Sequence, residues 1–182
     1  IGAGHTAFDA ARSAAREGAR SVSVYYRRTA EEMGAYQEEI VAAVDEGVRL
    51  FPLSSPVEFV ADASGERVAR ACMAEMVLGP PDEEGRRDAL AVEGKGYVVE
   101  CDLVIRAIGQ RLPSCSLYDH FPRSPWGGLV AALEDGATGE KGVYAGGDCV
   151  LGASSILRAI DSGKRGALGI DKMFGGTGVL PP

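Results

Sequence analysis

The first twelve residues constrain the fold of this chain more than any other stretch. They have the pattern of a strand end, a tight turn and a helix start, with Gly2, Gly4 and Ala7 at G-x-G-x-x-A spacing. In that pattern Gly2 makes the turn, Gly4 lets a pyrophosphate approach the backbone, and Ala7 keeps the helix close to the strand. The helix N-terminus adds free N–H groups and a partial positive charge. Glycine turns are common, so the pattern predicts a dinucleotide site only with support from the rest of the chain.

The next residues extend this start into a βαβ unit. An alanine-rich helix is predicted over 6–18 and a second parallel strand over 21–26. Arg27 and Arg28 follow that strand, where a dinucleotide fold reaches the adenosine ribose. A carboxylate there favours NAD, whereas arginine favours the 2′-phosphate of NADP. Two interpretations stay open: ordinary surface arginines, or a preference for NADP(H) over NAD(H).

The remaining segments of the first half predict further strands and a second helix. Thr29 is a good N-cap for a helix over 29–46, and a third strand is expected over 48–53. A polar turn is expected over 79–87. The segments with the pattern of antiparallel strands are 57–61, 68–78, 89–92 and 97–101. The segment 102–109 predicts a further buried strand that closes the first domain.

The second half of the chain begins with a Pro- and Ser-rich linker over 110–125. Short strands are expected over 129–132 and 142–145. Gly147 and Asp148 follow the second of these, at the carboxyl end of a strand, where open α/β sheets bind ligands. Asp148 is either a ligand residue or an ordinary turn residue. A helix then starts at Ser154, the expected N-cap, and continues through Met173.

Composition excludes several classes of function. The chain has 182 residues and a net charge of −7, which argues against a nucleic-acid-binding surface. No apolar run approaches about 18 residues, so neither a membrane span nor a signal peptide is predicted. The four cysteines include no C-x-x-C pair, which argues against an iron–sulfur, zinc or dithiol site within this chain. They are expected to be reduced thiols in a cytoplasmic protein; they are Cys72, Cys101, Cys115 and Cys149.

Several sequence blocks, in this order, resemble one family. The chain is similar to the NADPH–FAD oxidoreductase module of the glutamate synthase small (beta) subunit, also found in dihydropyrimidine dehydrogenase. The resemblance covers nearly the whole chain. The blocks that carry it are residues 2–9, 26–28, 32–33, 38–39, 82–87, 102–105, 107–110, 142–149, 159–160 and 163–165.

The resemblance implies two dinucleotide sites. Residues 1–110 correspond to the NADP(H)-binding domain, and 111–182 to the C-terminal portion of the FAD-binding domain. The fold class expected is therefore α/β, a Rossmann-like parallel sheet with an antiparallel β-meander plus part of a second dinucleotide-binding domain. The cofactor-binding residues expected are Gly2, Gly4, His5, Thr6, Ala7, Arg27, Arg28, Gly109, Gly147, Asp148, Ser155 and Ile156.

Two departures from the family pattern accompany these matches. His5 stands where the family usually has Asn, and Gly34 where it usually has Pro. His5 is either a phosphate or cofactor ligand or a structural histidine. The sequence shows no second glycine fingerprint and no cysteine-rich segment, both of which precede these blocks in the family. The chain is therefore expected to be a fragment with an incomplete FAD site, and iron–sulfur clusters are expected only upstream.

The function expected from the resemblance is hydride transfer from NADPH to FAD and onward to an iron–sulfur or partner acceptor. The cofactors carry that chemistry, so no catalytic side chain and no metal site are expected. An electron-acceptor subunit or domain is the expected partner. The alternative is a non-catalytic dinucleotide-binding sensor. A disulfide reductase and a flavin-free dehydrogenase are disfavoured, since neither a C-x-x-C pair nor a substrate acid–base constellation is present.

Overall fold

The structure, a computed structural model, describes residues 1–83, 85, 87–113 and 119–179. Glu84, Arg86 and Cys115 of the sequence predictions lie outside the described residues, as does part of the predicted linker. The chain divides into two compact units, Ile1–Ile108 and Gly109–Pro182. No helix among the described residues has the length and apolarity that crossing a membrane requires.

The first unit is built on a layer of parallel backbone segments. Strands β1 (Ser23–Tyr25) and β2 (Arg49–Phe51) pair in parallel. Residues 1–3 lie on the other side of β1, where the Gly2 amide donates to the Tyr25 carbonyl at 3.0 Å. Residues 105–107 are the next segment of the layer and lie beside residues 1–3. The amino group of Ile1 donates to Ile105 O and the Ala107 amide donates to Ile1 O, each at 2.8 Å. The predicted glycine-turn strand is thus the centre of this layer.

Two helices cover one face of the layer, α1 (His5–Arg16) and α2 (Gln37–Asp45). Phe8 of α1 is 1% exposed, and it packs with Val24 of β1 and Ala43 of α2 in the first core. Burying a phenylalanine beside small alanine residues lets the helices lie close to the strands. Gly18 follows α1 in the left-handed conformation, with φ of +90°, so the predicted helix end is confirmed.

An antiparallel meander covers the opposite face. It consists of β3 (Ser54–Ala61), β4 (Val68–Pro81) and β5 (Arg87–Glu100), in that spatial order. Tyr25 forms a second core with Ala71 and Met73 of β4. Successive side chains of β1 therefore point into different cores, as alternation along a strand requires. The predicted fold class, a Rossmann-like parallel layer with an antiparallel meander, is confirmed.

The meander strands are longer than predicted. β4 continues through Pro81, so the turn expected over 79–87 is shorter. The segments 89–92 and 97–101 belong to the single strand β5, which passes Gly96 with a shift of register. A Cβ at Gly96 would lie 2.6 Å from the Met73 carbonyl oxygen, so glycine permits a close approach to β4 that the sequence pattern does not reveal.

The single helix predicted over 29–46 is wrong. A one-turn 3-10 helix, Ala30–Glu32, ends before α2 begins, and Met33 and Tyr36 between them have extended backbone. The amides of Gly34 and Ala35 donate to the carbonyl of Ala3, at 2.9 and 3.1 Å. Because these amides bind the glycine turn, they are not available to a continuous helix.

The segment 102–109 is neither a regular strand nor buried. Leu103 is 67% exposed and Ile108 is 61% exposed. Its two hydrogen bonds with Ile1 place residues 105–107 in the parallel layer, but Leu103, Ile105 and Ile108 stay exposed among the described residues. The prediction of a buried strand relied on apolar composition, which does not report what covers a segment.

The second unit contains α3 (Asp148–Leu151) and α4 (Ile156–Met173). Of the two predicted short strands, only single antiparallel bridges appear, Arg123 with Leu129 and Ala137 with Tyr144. The N-cap of α4 is Ser155, whose hydroxyl accepts from the Arg158 amide at 3.3 Å, and not Ser154. A serine one residue later satisfies the same orphan amides.

An ion pair between α1 and Glu46, the residue that follows α2, yields a prediction on stability. Arg12 donates three hydrogen bonds to the Glu46 carboxylate, at 2.8 to 3.1 Å, and Arg16 donates one more. These contacts lower the pKa of Glu46 from 4.5 to about 2. The stabilisation is therefore complete above pH 4.5 and is lost as the pH falls toward 2.

Glu46→Gln is accordingly expected to lower the melting temperature at pH 7, and the difference from wild type should shrink steadily between pH 4.5 and pH 2. Thermal unfolding followed by circular dichroism at several pH values measures both effects. Glu58→Gln, at an exposed position of β3, is the control and should show no such trend. A difference that stays constant with pH would show that the ion pair is not its source.

Candidate functional site

The glycine turn lies between β1 and residues 105–107. Gly2 has φ of +118°, and a Cβ built there would collide with the carbonyl oxygen of Ala107. Only glycine adopts this conformation at that distance from a neighbouring backbone. The predicted role of Gly2 in the turn therefore has a physical cause in the structure, namely the parallel neighbour at Ala107.

The turn leads into the N-terminus of α1, where the backbone is open. Gly4 is the N-cap, and a Cβ built on it meets no atom within 4 Å. The amide of Ala7 donates to Gly4 O at 2.9 Å, which leaves the amides of His5 and Thr6 outside the intrahelical ladder. Ala7 itself is 6% exposed and packs inward. This end of α1 combines open space, free donors and the positive end of a helix dipole, the features that bind a phosphate.

The two arginines lie at the carboxyl end of β1, the strand beside the glycine turn. Backbone hydrogen bonds fix this strand end, since Leu53 N donates to Arg28 O and Ser54 N donates to Tyr26 O, both at 2.9 Å. Arg27 is exposed, whereas the Arg28 side chain is 24% exposed. The Nε of Arg28 is buried and has no hydrogen-bond partner among the described residues. Leaving a buried hydrogen-bond donor without a partner costs about 1–3 kcal/mol of folding free energy. Arg28 is therefore suited to bind an additional anionic ligand.

Glu32 lies beside Arg28 and is not among the predicted cofactor-binding residues, although it belongs to one of the blocks that carry the family resemblance. Its Oε1 lies 3.8 Å from Nη1 of Arg28. Its Oε2 accepts hydrogen bonds from the Thr29 amide and hydroxyl, at 3.2 and 3.1 Å. Thr29 and Glu32 form a capping box, and their three-residue spacing is the sequence signal that predicts this contact.

His5 has a structural partner in α2. Its Nδ1 donates to Oε2 of Glu39 at 2.7 Å, and its ring lies against Tyr36 with centroids 4.6 Å apart. The hydrogen bond from His5 is the main cause that lowers the pKa of Glu39 below its ordinary value. One ring nitrogen of His5 is therefore engaged in joining α1 to α2, which supports the structural interpretation of this residue. Its contact with a cofactor stays a prediction.

The expected flavin residues lie in the second unit. Gly147 has φ of +68°, and its amide donates to the Ser162 hydroxyl of α4 at 2.9 Å. Asp148 is exposed at the first position of α3. Ser155 caps α4, and Ile156 is 80% exposed at its first position. Gly109 also belongs to this unit and has φ of +85° with open space at its Cβ. The flavin contacts of Gly147, Asp148, Ser155 and Ile156 stay predictions, as does the contact of Gly109 with a cofactor.

A groove of about 930 Å³ in the first unit lies away from the expected site. Its lining includes Ser23, Arg49, Val99 and Leu103, and it includes neither Gly4 nor the two arginines. A dinucleotide that lies along a strand edge and a helix N-terminus does not need an enclosed cavity. No group of three or more potential metal ligands occurs among the residues described.

The residues of the first unit fit NADP(H). The open space at Gly4 and the free amides of α1 match a pyrophosphate, and the buried Nε of Arg28 matches an anion at the ribose. No carboxylate stands directly at the end of β1, where NAD-specific chains hold the 2′-hydroxyl, although Glu32 lies nearby. The Gly2–Tyr25 hydrogen bond places the glycine turn beside β1, the strand that the two arginines follow.

Solved structures share this fold. The thioredoxin reductase of Lactococcus lactis matches with a TM-score of 0.74 and 18% identity, covering 95% of this chain and 51% of that one. The T. acidophilum thioredoxin reductase matches with a TM-score of 0.72 and 20% identity, covering 94% of this chain and 50% of that one. At these identities the likeness establishes the fold alone.

Curated relatives are closer in sequence. The NADP(+)-dependent formate dehydrogenase subunit beta of Moorella thermoacetica is 39% identical over 172 residues, which are 94% of this chain and 24% of the relative. The putative glutamate synthase (NADPH) small chain of Cereibacter sphaeroides is 39% identical over 173 residues, with 93% and 41% covered. The chain thus spans well under half the length of these relatives. They confirm the predicted resemblance to the glutamate synthase small-subunit type.

A family model described as pyridine nucleotide-disulphide oxidoreductase matches residues 1–163. The match includes the glycine turn, both arginines and the Gly147–Asp148 turn of the second unit. The chain therefore belongs to the pyridine nucleotide-disulphide oxidoreductase family.

Proposed function

We propose that this chain carries the NADP(H) site and part of the flavin site of an NADPH-dependent flavoprotein oxidoreductase of the glutamate synthase small-subunit type. Family membership and the NADP(H) in the names of both relatives support the proposal. The observation that carries it is the hydrogen bond of Gly2 to Tyr25 of β1, which sets the glycine turn beside the strand that Arg27 and Arg28 follow.

The chain's own residues bind and orient the nucleotide in this proposal. The α1 amides of His5 and Thr6 hold the pyrophosphate beside Gly4, and Arg28 holds the 2′-phosphate. When bound, NADPH supplies a hydride that FAD accepts, so no acid, base or nucleophile is assigned to a side chain. Gly147, Asp148 and the amides at Ser155 and Ile156 contribute the flavin contacts of the second unit, the helix dipole of α4 favouring negative charge.

Further assignments follow the names of the relatives. Both relatives are named as a subunit or a small chain, so we propose an electron-acceptor subunit or domain as the partner. Iron–sulfur clusters belong to segments outside this sequence in the proposal, and the protein is assigned to the cytoplasm. The acceptor is identified only by its chemistry, as a one- or two-electron carrier that takes electrons from a reduced flavin.

The arginine assignment is tested by calorimetric titration of the full chain with NADPH. The double variant Arg27→Ala and Arg28→Ala is expected to lose at least about tenfold in NADPH affinity, because two charge-assisted contacts to a phosphate are removed. NADH affinity should stay the same within about twofold. Arg20→Ala, an exposed arginine ahead of β1, is the matched control and should bind both nucleotides like wild type. Unchanged NADPH affinity in the double variant would refute the 2′-phosphate site.

A further inference from the structure

Arg28 is only loosely held at the end of β1. Its Nη1 lies 3.8 Å from Oε1 of Glu32, at the outer limit of an ion pair. Its Nε is buried without a hydrogen-bond partner among the described residues. A guanidinium carries five N–H donors in a fixed plane. Arg28 therefore has donors available for an anion that offers better geometry than Glu32 does.

Glu32, in contrast, is fixed by contacts that do not involve Arg28. Its Oε2 accepts from the amide and the hydroxyl of Thr29, at 3.2 and 3.1 Å. Its backbone carbonyl accepts from the Tyr26 hydroxyl at 2.8 Å. The carboxylate therefore stays beside the guanidinium and does not swing away when a second anion approaches Arg28.

We infer that Glu32 competes with the nucleotide 2′-phosphate for Arg28, an inference that rests on the proposed NADP(H) site. This competition limits the preference of the chain for NADP(H) over NAD(H). The phosphate and the carboxylate are like charges that share one guanidinium. Water screens them only in part, because the Arg28 and Glu32 side chains are 24% and 29% exposed. NAD(H) carries no phosphate at this position, so its binding does not depend on Glu32. Glu32 is thus a specificity-determining residue outside the glycine turn.

Calorimetry of the full chain with NADP⁺ and NAD⁺ tests this inference through Glu32→Gln. Glutamine at this position preserves the capping box and removes the charge. NADP⁺ affinity should rise about three- to tenfold at low salt, and the gain should shrink as salt is added. NAD⁺ affinity should change by less than about twofold. Glu31→Gln removes the same charge from the same turn and is the matched control, because the ion pair of Arg28 is with Glu32.

A double-mutant cycle separates competition from a general charge effect. In an Arg28→Ala background, Glu32→Gln should no longer change NADP⁺ affinity. Glu32→Ala is the second variant should glutamine disturb folding, since any folded variant without the carboxylate must bind NADP⁺ more tightly. The inference is overturned if NADP⁺ affinity is unchanged or falls in these variants, or if Glu31→Gln matches the gain. If wild type shows no preference for NADP⁺ over NAD⁺, the proposed function fails instead.

Discussion

Gly2→Ala is expected to destabilise the first unit by about 2–5 kcal/mol, a large share of the stability of an ordinary domain. Two costs combine at this position. An alanine is strained at φ of +118°, and its Cβ collides with the Ala107 carbonyl oxygen, which belongs to a hydrogen-bonded backbone and cannot easily move. Urea denaturation followed by circular dichroism gives the free energy of unfolding.

Gly18→Ala separates the two costs. Gly18 also has a positive φ, +90°, but a Cβ there meets no atom within 4 Å. Its substitution should therefore cost only the backbone strain, about 1 kcal/mol. Equal losses of stability in the two variants would show that the contact with Ala107 does not constrain the turn.

Gly4→Ala, unlike Gly2→Ala, is expected to leave the chain folded and to weaken nucleotide binding. Its φ of −90° suits any residue, and a Cβ meets open space. Alanine is a poorer N-cap than glycine, so the loss of stability should be about 1 kcal/mol or less. The added methyl group occupies the space in which the pyrophosphate approaches the backbone, so NADPH affinity should fall at least about tenfold.

The control for this variant is Gly139→Ala in the second unit, where a Cβ also meets no atom within 4 Å. Gly139→Ala should bind NADPH with wild-type affinity. Titration calorimetry and thermal unfolding on the same samples separate binding from folding. If a folded Gly4→Ala chain bound NADPH with wild-type affinity, the assignment of the pyrophosphate to the N-terminus of α1 would be refuted.

Local rules explain why parts of this fold could be predicted from the sequence. The glycine spacing and the alanine-rich helix indicate that α1 packs closely on the parallel layer, because small side chains permit a short distance between them. Phe8 and Ala11 of α1 meet Val24 of β1 in the first core. Gly18 ends α1 because only glycine adopts its backbone conformation without strain. Arg27 and Arg28 follow β1 within three residues of the sequence, so a prediction of the strand also predicts their place. These features depend on residues that are neighbours in sequence.

Features that depend on distant contacts could not be predicted in the same way. The helix expected over 29–46 is interrupted because the Gly34 and Ala35 amides bind Ala3, thirty-odd residues away. His5 is joined to Glu39 across the same distance. The contact of Glu32 with Arg28 is local, and the spacing of Thr29 and Glu32 signals it, but its consequence depends on the burial of the Arg28 Nε.

The central claim, that the first unit is an NADP(H)-selective site, is tested most directly by titrating the full wild-type chain with NADPH and with NADH under the same conditions. We expect NADPH to bind at least about tenfold more tightly than NADH, through the contact of its 2′-phosphate with Arg28. Equal affinities, or tighter binding of NADH, would contradict it.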